Sequence, residues 1–358
     1  MNFLNIPWGF FMKFIKFFSL FFGIMLTFAC SSKTKDLLDG VRKNNSPYLL
    51  SFVKNQSFHM NNDQNREFIG KAGTKIKIDA NSFATPKGKV VSGKITLKLK
   101  EATQAFQVTA MGIPMYFSDK NGNKMLFESA GMIQLNAQCK GKSVRLVNGK
   151  TIRVEFPNVK PGDKFKVYFF DGKKWNYHGK NQESEVGTSG KVIGTRIYHV
   201  PSLGIYNWDY PQKFSCIRGR VKLKKPIKSK VLRAYTVGVD RYQTDQDYFR
   251  LEGFALNVLK NSKVKIMIFS DGGLLGVSKV IEVKENSINA SKMNRKNCQD
   301  IGMIEVKEKP YEIKDYKDLI KIVGIDEKKY KVKYRKKKIN VYSNDKDLDD
   351  MADDGKKN

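Results

Sequence analysis

Histidine is the side chain best suited to moving a proton near neutral pH, and this 358-residue chain carries three: His59, His178 and His199. His199, Ser202 and Asp209 lie close enough in sequence to raise a nucleophilic triad. No nucleophile elbow and no oxyanion-hole pattern accompanies them, so the triad is set aside. Glu101, Glu128 and Asp209 are carboxylates of the kind a glycosidase pairs across a scissile bond; isolated acids on strands more often face water or lysine. The stretches "SDGG", "FDGK" and "SDKNGN" hold oxygen ligands of the sort calcium takes, but without EF-hand spacing, and hairpin turns account for them better. No Cys or His pair has zinc spacing, and no glycine-rich loop has the strand–helix setting that cradles phosphate. The reading is therefore of a non-enzyme with no catalytic residue, no metal site and no cofactor.

Two further constellations carry chemistry of another kind. Besides Cys30, the chain has Cys139, Cys216 and Cys298. Cys216 opens one strand-like segment and Cys298 stands just before the last strand of the same region. Either they form a disulfide that staples this region shut, or they are two buried free thiols. Trp175, Trp208 and Tyr206 are aromatic rings that could stack on sugar rings as a ligand platform; the competing reading places them in the core.

The elements that must position these residues are strands. Ile76 and Ile78 alternate with lysines, as do Ile95, Leu97 and Leu99 with Thr96 and Lys98. Ile133, Leu135 and Ala137, then Ile152, Val154 and Phe156, then Phe165, Val167 and Phe169 continue the two-residue period. Turn-forming "PKGK", "DKNGNK", "NGK", "KPGD" and "DGKK" separate them, and Asn121-Gly122 and Asn148-Gly149 are hairpin dipeptides because both residue types tolerate positive φ. Alternating strands joined by such turns predict an all-β chain of two tandem antiparallel β-sandwich modules. The proposed boundaries are a signal segment over 1–29, a tether over 30–66, a first sandwich over 67–180, a linker over 181–214 and a second sandwich over 215–306. Residues 307–343 follow as a helix plus a basic hairpin, and 344–358 as a disordered tail. The helix is expected in "YEIKDYKDLIKIVG", where Ile313, Tyr316, Leu319, Ile320 and Val323 share one face.

The opening stretch "MKFIKFFSLFFGIMLTFACSSK" has a short basic start and an apolar run too brief for the roughly 18–20 residues of a bilayer span. It resembles a bacterial lipoprotein signal, in which the cysteine after the cut is lipidated. Here the order is Leu26, Thr27, Phe28, Ala29, Cys30, with Thr27 and Phe28 departing from the usual consensus. The resemblance implies a lipid-modified Cys30, a start at Met12 and residence in the bacterial cell envelope, anchored to the outer membrane.

Two more resemblances concern the modules. "GTKIKIDANSFATPKGKVVSGKITLKLKEAT", "GIPMYFSDKNGNKMLFESAGMIQLNA" and "NGKTIRVEFP" resemble a sandwich of bacterial surface proteins that is similar to the domain of zonula occludens proteins and netrin receptors. The most specific pieces are Ala80–Phe83 with Gly93, and Glu128–Met132, where Gly131 is expected at a bulge. Some relatives of that module cleave themselves at a serine between sandwiches, but "HVPSLG" lacks their motif. Gly219 in "IRGRV", "GFALNV" and "CQDIGMIEV" are similar to carboxypeptidase regulatory-like sandwiches.

The formal charge of +31 on an exported chain points to anionic lipid headgroups or polysaccharide rather than nucleic acid, since the lysines are spread over strand faces instead of one stripe. The expected partners are the membrane, through the lipid anchor, and an anionic polysaccharide or an envelope protein. The function expected is display, adhesion or scaffolding, the alternative a carbohydrate-binding or carbohydrate-active surface protein.

Overall fold

The side-chain alternation seen in the sequence becomes two-sided sheets. A computed structural model describes residues 49, 51–157, 164–179, 195–223, 231–249, 253–285 and 297–325. The first module is built from β1 (Gln56–Asn61), β2 (Arg66–Ile69), β3 (Lys75–Ile78), β4 (Phe83–Ala84), β5 (Lys94–Ala102), helix α1 (Ala105–Met111), β6 (Tyr116–Ser118) and β7 (Lys124–Cys139). It continues with β8 (Lys142–Ser143), β9 (Arg145–Leu146), β10 (Ile152–Pro157), β11 (Lys166–Phe170), β12 (Trp175–Gly179), β13 (Thr195–Val200) and β14 (Gly204–Gln212). One sheet runs β1-β5-β7-β14-β11-β12, with β6 and β8 also on β7, and the facing sheet runs β13-β10-β3-β2. Between them Ile76, Leu97, Leu135, Val154, Phe156, Val167 and Trp208 form a core. This is an all-β sandwich.

The second module holds β15 (Phe214–Leu223), β16 (Leu232–Gly238), β17 (Gln246–Phe249), β18 (Phe254–Leu259), β19 (Lys263–Ser270), β20 (Gly273–Val277), β21 (Ile281–Glu282) and β22 (Gln299–Val306). Its sheets are β18-β15-β22 and β17-β16-β19-β20, with β21 on β19. Leu232, Leu256, Ile266, Ile268 and Ile304 fill the space between. Among the described pairings β15 and β22 run parallel, an exception to the antiparallel pattern. Helix α2 (Tyr316–Val323) follows. The Asp315 side chain accepts the Asp318 N–H at its start, and Lys265 Nζ donates to Val323 O at its end, at 2.6 Å. A cation on the last carbonyls satisfies groups the helix leaves open.

A third core joins the modules. It takes Phe127, Met132, Tyr168 and Ile205 from the outer face of the first module's large sheet. Tyr235, Val237, Met267 and Phe269 come from the second module, and Phe106 and Leu319 from the helices. Tyr316 of α2 reaches back to the first module, packing 5.8 Å from the Phe106 ring and donating to Gln104 Oε1. The described residues form one compact unit.

Several boundaries move. The tether expected over 30–66 is shorter, because β1 pairs along its whole length with β5. The linker over 181–214 is the larger correction. Its residues 195–212 are two strands, and β14 lies in the middle of the large sheet between β7 and β11. Tyr206 and Trp208 face the sandwich core while Ile205 faces the module junction. A strand buried on both faces loses the apolar–polar alternation that marks a half-buried one, so "GIYNWDY" carries no strand periodicity. Helix α1 is a further element without a sequence signal. Six of its residues are buried and its N-cap Gln104 makes no side-chain cap, so it shows neither an amphipathic stripe nor a start signal.

Gly131 does sit at an irregularity. From Met132 to Ser129, β7 spans one residue more than β14 does from Asn207 to Asp209. Its φ is +125°, and a Cβ there would lie 2.5 Å from the Phe156 ring. The signal segment, Cys30, the stretch 180–194, the basic hairpin and the tail lie outside the described residues.

Candidate functional site

Most of the residues singled out for chemistry are tied into the scaffold. His199 pairs with Thr151 Oγ1 at 3.4 Å and Ser202 Oγ with the Tyr206 hydroxyl at 2.8 Å, so neither meets the other in a triad. His178 bonds to Tyr198 and His59 to Thr96. Glu101 is buried and accepts from Gln56 Nε2 and from the Ala72 and Thr74 N–H groups, which fixes the β2–β3 turn against β5. Glu128 accepts from Gln212 Nε2 and lies 3.8 Å from Lys164 Nζ. Asp119 and Asp171 spend their oxygens on turn N–H groups and an asparagine each. Asp209 is fully buried, and burial pushes its carboxyl well above the usual range although the neighbouring Ser129 hydroxyl works against this.

The aromatic platform is not formed. Trp208 and Tyr206 are completely buried, and Trp175 is 3% exposed with its Nε1 donating to Pro114 O at 2.6 Å. Sequence spacing does not distinguish a ring facing solvent from one facing a second sheet. Cys216 and Cys298 are disulfide-bonded, with Cα atoms 4.8 Å apart; Cys139 is free and half-buried. Among the described residues, no group of three His, Cys, Asp or Glu side chains is placed to hold a metal ion, and no helix is long and apolar enough to cross a membrane.

Among the described residues, a concave feature with convergent polar groups lies at the module junction. Gly112, left-handed at φ +67°, ends α1 and turns the chain into Ile113–Pro114–Met115 and β6. The Trp175 bond to Pro114 pins this loop. Opposite it stand Tyr235 of β16, the β16–β17 connection and the start of β17. That connection is fixed by Asp245 N–H donating to Thr236 Oγ1, by Thr244 Oγ1 donating to Thr236 O, and by Ser129 N–H of the first module donating to Tyr242 O. Together these segments enclose a cavity of about 240 Å³, walled by Ile113, Met115, Tyr116, Tyr235, Asp245, Gln246 and Tyr248 among others.

At its edge a polar cluster crosses between modules. The Asp245 carboxylate accepts from Asn257 N–H at 2.7 Å, from Asn257 Nδ2 at 3.2 Å and from the Tyr116 hydroxyl, which itself accepts from Asn257 Nδ2. Burial pushes the Asp245 carboxyl up to about 6, outweighing the hydrogen bonds that lower it; Asp247 nearby adds to the rise. Burial likewise holds the Tyr116 hydroxyl well above its ordinary value. Gln246 Oε1 and Asn257 Oδ1 are buried with no donor among the described residues.

No protein-family model matches the chain, and no curated protein matches it significantly.

The Asp245 environment gives a signed expectation. A carboxyl harder to ionise in the folded than in the unfolded chain binds more protons when folded, so stability falls as pH rises. With an unfolded value of about 3.9, the decline runs from roughly pH 4 to pH 6 and is complete above it. Asp245→Asn should gain about 1–3 kcal/mol over the parent at pH 7. The gain should vanish below roughly pH 4. Urea unfolding at the two pH values measures it, and a pH-independent difference would contradict the assignment.

Proposed function

We propose that this chain is a lipid-anchored protein of the bacterial cell envelope, held at the outer membrane, with a non-enzymatic display, adhesion or scaffolding role. The observation that carries the reading is the Cys216–Cys298 disulfide, because disulfides persist in oxidising compartments and are rare in the cytosol. It agrees with the signal-like stretch ending at Cys30, and the resemblance of residues 68–178 to surface-protein sandwiches points the same way. Glu101, His199 and Ser202 are each engaged in turn or strand contacts. Lipid on Cys30 supplies the anchor, since more than one acyl chain is needed for stable attachment. Exposed lysines add attraction to anionic lipid, polysaccharide or an envelope protein, which weakens as salt is raised.

Growth with an alkyne-bearing fatty acid, followed by click detection on a gel, tests this. The parent chain should be labelled and fractionate with the outer membrane, and Cys30→Ala should lose the label. An unlabelled parent would end the proposal.

The alternative, a carbohydrate protein built on Trp175, Trp208 and Tyr206, loses its platform because those rings are buried.

A further inference from the structure

The second module covers only part of the outer face of the first module's large sheet. Phe127, Met132, Tyr168 and Ile205 are packed into the junction core, but β1, β5 and the end of β7 present a different surface. Ile95, Leu97 and Leu99 of β5 point into the sandwich core, so Lys94, Thr96 and Lys98 point outward. Across the ladders Lys98 stands between Ser57 and Asn136, and Thr96 between His59 and Gln138. A hydrogen bond between Thr96 Oγ1 and His59 Nδ1 at 3.2 Å places the two side chains on one face. Ser57, His59 and Lys94 are exposed, and Lys98, Asn136 and Gln138 half-buried. None of these positions is acidic or apolar.

Elsewhere, lysines on strands are matched by carboxylates: Lys77 by Glu67 and Glu155, Lys222 by Glu305, and Lys263 by Glu282. Among the described residues Lys94 and Lys98 make no such pair, because their cross-strand neighbours Asn61, Ser57 and Asn136 carry no charge. Lys140, exposed in the turn after β7, adds a third cation at the Lys94 end, where Ile95 pairs with Cys139. The positive charge of this face is left for something outside the fold.

We propose that this face docks a linear acidic polysaccharide, one bearing carboxylate or sulfate groups along its length. Lys94 and Lys98 lie four residues apart on one strand, about 13 Å. They do not converge on a single small anion, and they suit charges repeated along a chain. The amides and hydroxyls of Asn136, Gln138, Ser57 and Thr96 beside them both donate and accept, as the hydroxyls of a sugar do. Single-stranded nucleic acid needs aromatic platforms for its bases, and an acidic protein needs an apolar anchor at the centre of its interface. This face supplies neither. A bilayer surface meets protruding groups, whereas Lys98 and its amide neighbours are recessed among strands. The inference deepens the electrostatic part of the envelope reading and rests on it for where such a polymer is met; binding itself does not involve Cys30.

Biolayer interferometry with the full chain in an uncharged detergent tests the assignment. The immobilised probes are polygalacturonate and chondroitin sulfate, with dextran and oligothymidylate as counter-probes and phosphatidylglycerol mixed into the detergent as the lipid competitor. At least one acidic polysaccharide should bind, more weakly as salt is raised, and dextran should not. Lys94→Glu combined with Lys98→Glu should weaken that binding about tenfold, and the Lys94→Gln, Lys98→Gln pair about threefold. Lys279→Glu with Lys284→Glu makes the same change in net charge at exposed positions of the second module, and should alter binding by less than about twofold. Melting curves check each variant, and the glutamine pair decides where the glutamate pair does not fold. Four results would overturn the proposal: no binding to either acidic polysaccharide, an equal loss in the second-module pair, stronger binding to oligothymidylate, or displacement by phosphatidylglycerol. Fatty-acid labelling at Cys30 is unaffected by any of them, so the two proposals fail separately.

Discussion

Trp208→Ala should destabilise the protein by about 3–5 kcal/mol, the range for deleting a fully buried large aromatic. The ring lies parallel to Phe156 at 4.5 Å and 7°, joining the two sheets of the first sandwich. Its backbone belongs to β14, which pairs on both sides and cannot move toward the void without breaking ladders to β7 and β11. For a domain of roughly 150–250 residues each kcal/mol shifts the melting temperature by about 2–4 °C, so a fall on the order of 10 °C is expected by calorimetry. The same substitution separates the core reading from the ligand-platform reading: an exposed platform residue would leave the melting temperature unchanged. A loss below about 1 kcal/mol would contradict the packing described.

Replacing both Cys216 and Cys298 by alanine should cost a comparable amount. The bridge spans 82 residues, and loop-closure entropy for that length is worth about 4.5 kcal/mol, with about 2–4 kcal/mol typical of measured cases. The bridge and Ala255 form a small cluster of their own, apart from the main core of the second module. Its loss therefore leaves the large apolar side chains in place, and the effect falls mainly on the unfolded chain. Dithiothreitol should lower the melting temperature of the parent toward that of the double variant and leave the variant unchanged. If reduction moves neither, the bridge contributes nothing.

How far the sequence revealed the fold depended on what each strand faces. β3 and β5 carry lysines to solvent and isoleucine or leucine inward, and their period is plain. The hairpin dipeptides are turns, with Gly122 and Gly149 at positive φ. The helix at Tyr316–Val323 is legible from the spacing of its apolar face, whereas the sequence leaves Cys216 and Cys298 open between a bridge and two free thiols, and the structure forms the bridge. β14 and α1 are not legible, since burial on all sides erases periodicity. The cavity was the least legible feature. Tyr116 and Asp245 stand far apart in the chain and meet only because the modules dock through a shared core, an event for which no local pattern exists.

The parallel pairing of β15 with β22 carries a mechanical consequence. The first strand of the second module and its last lie side by side, so a pull on the Phe214 end and on the Val306 end runs in opposite senses along the shared ladder. Were the disulfide reduced, load would be spread over all of the ladder's hydrogen bonds at once rather than peeling them singly. The covalent sulfur link beside the ladder's first pair limits how far the strands can slide.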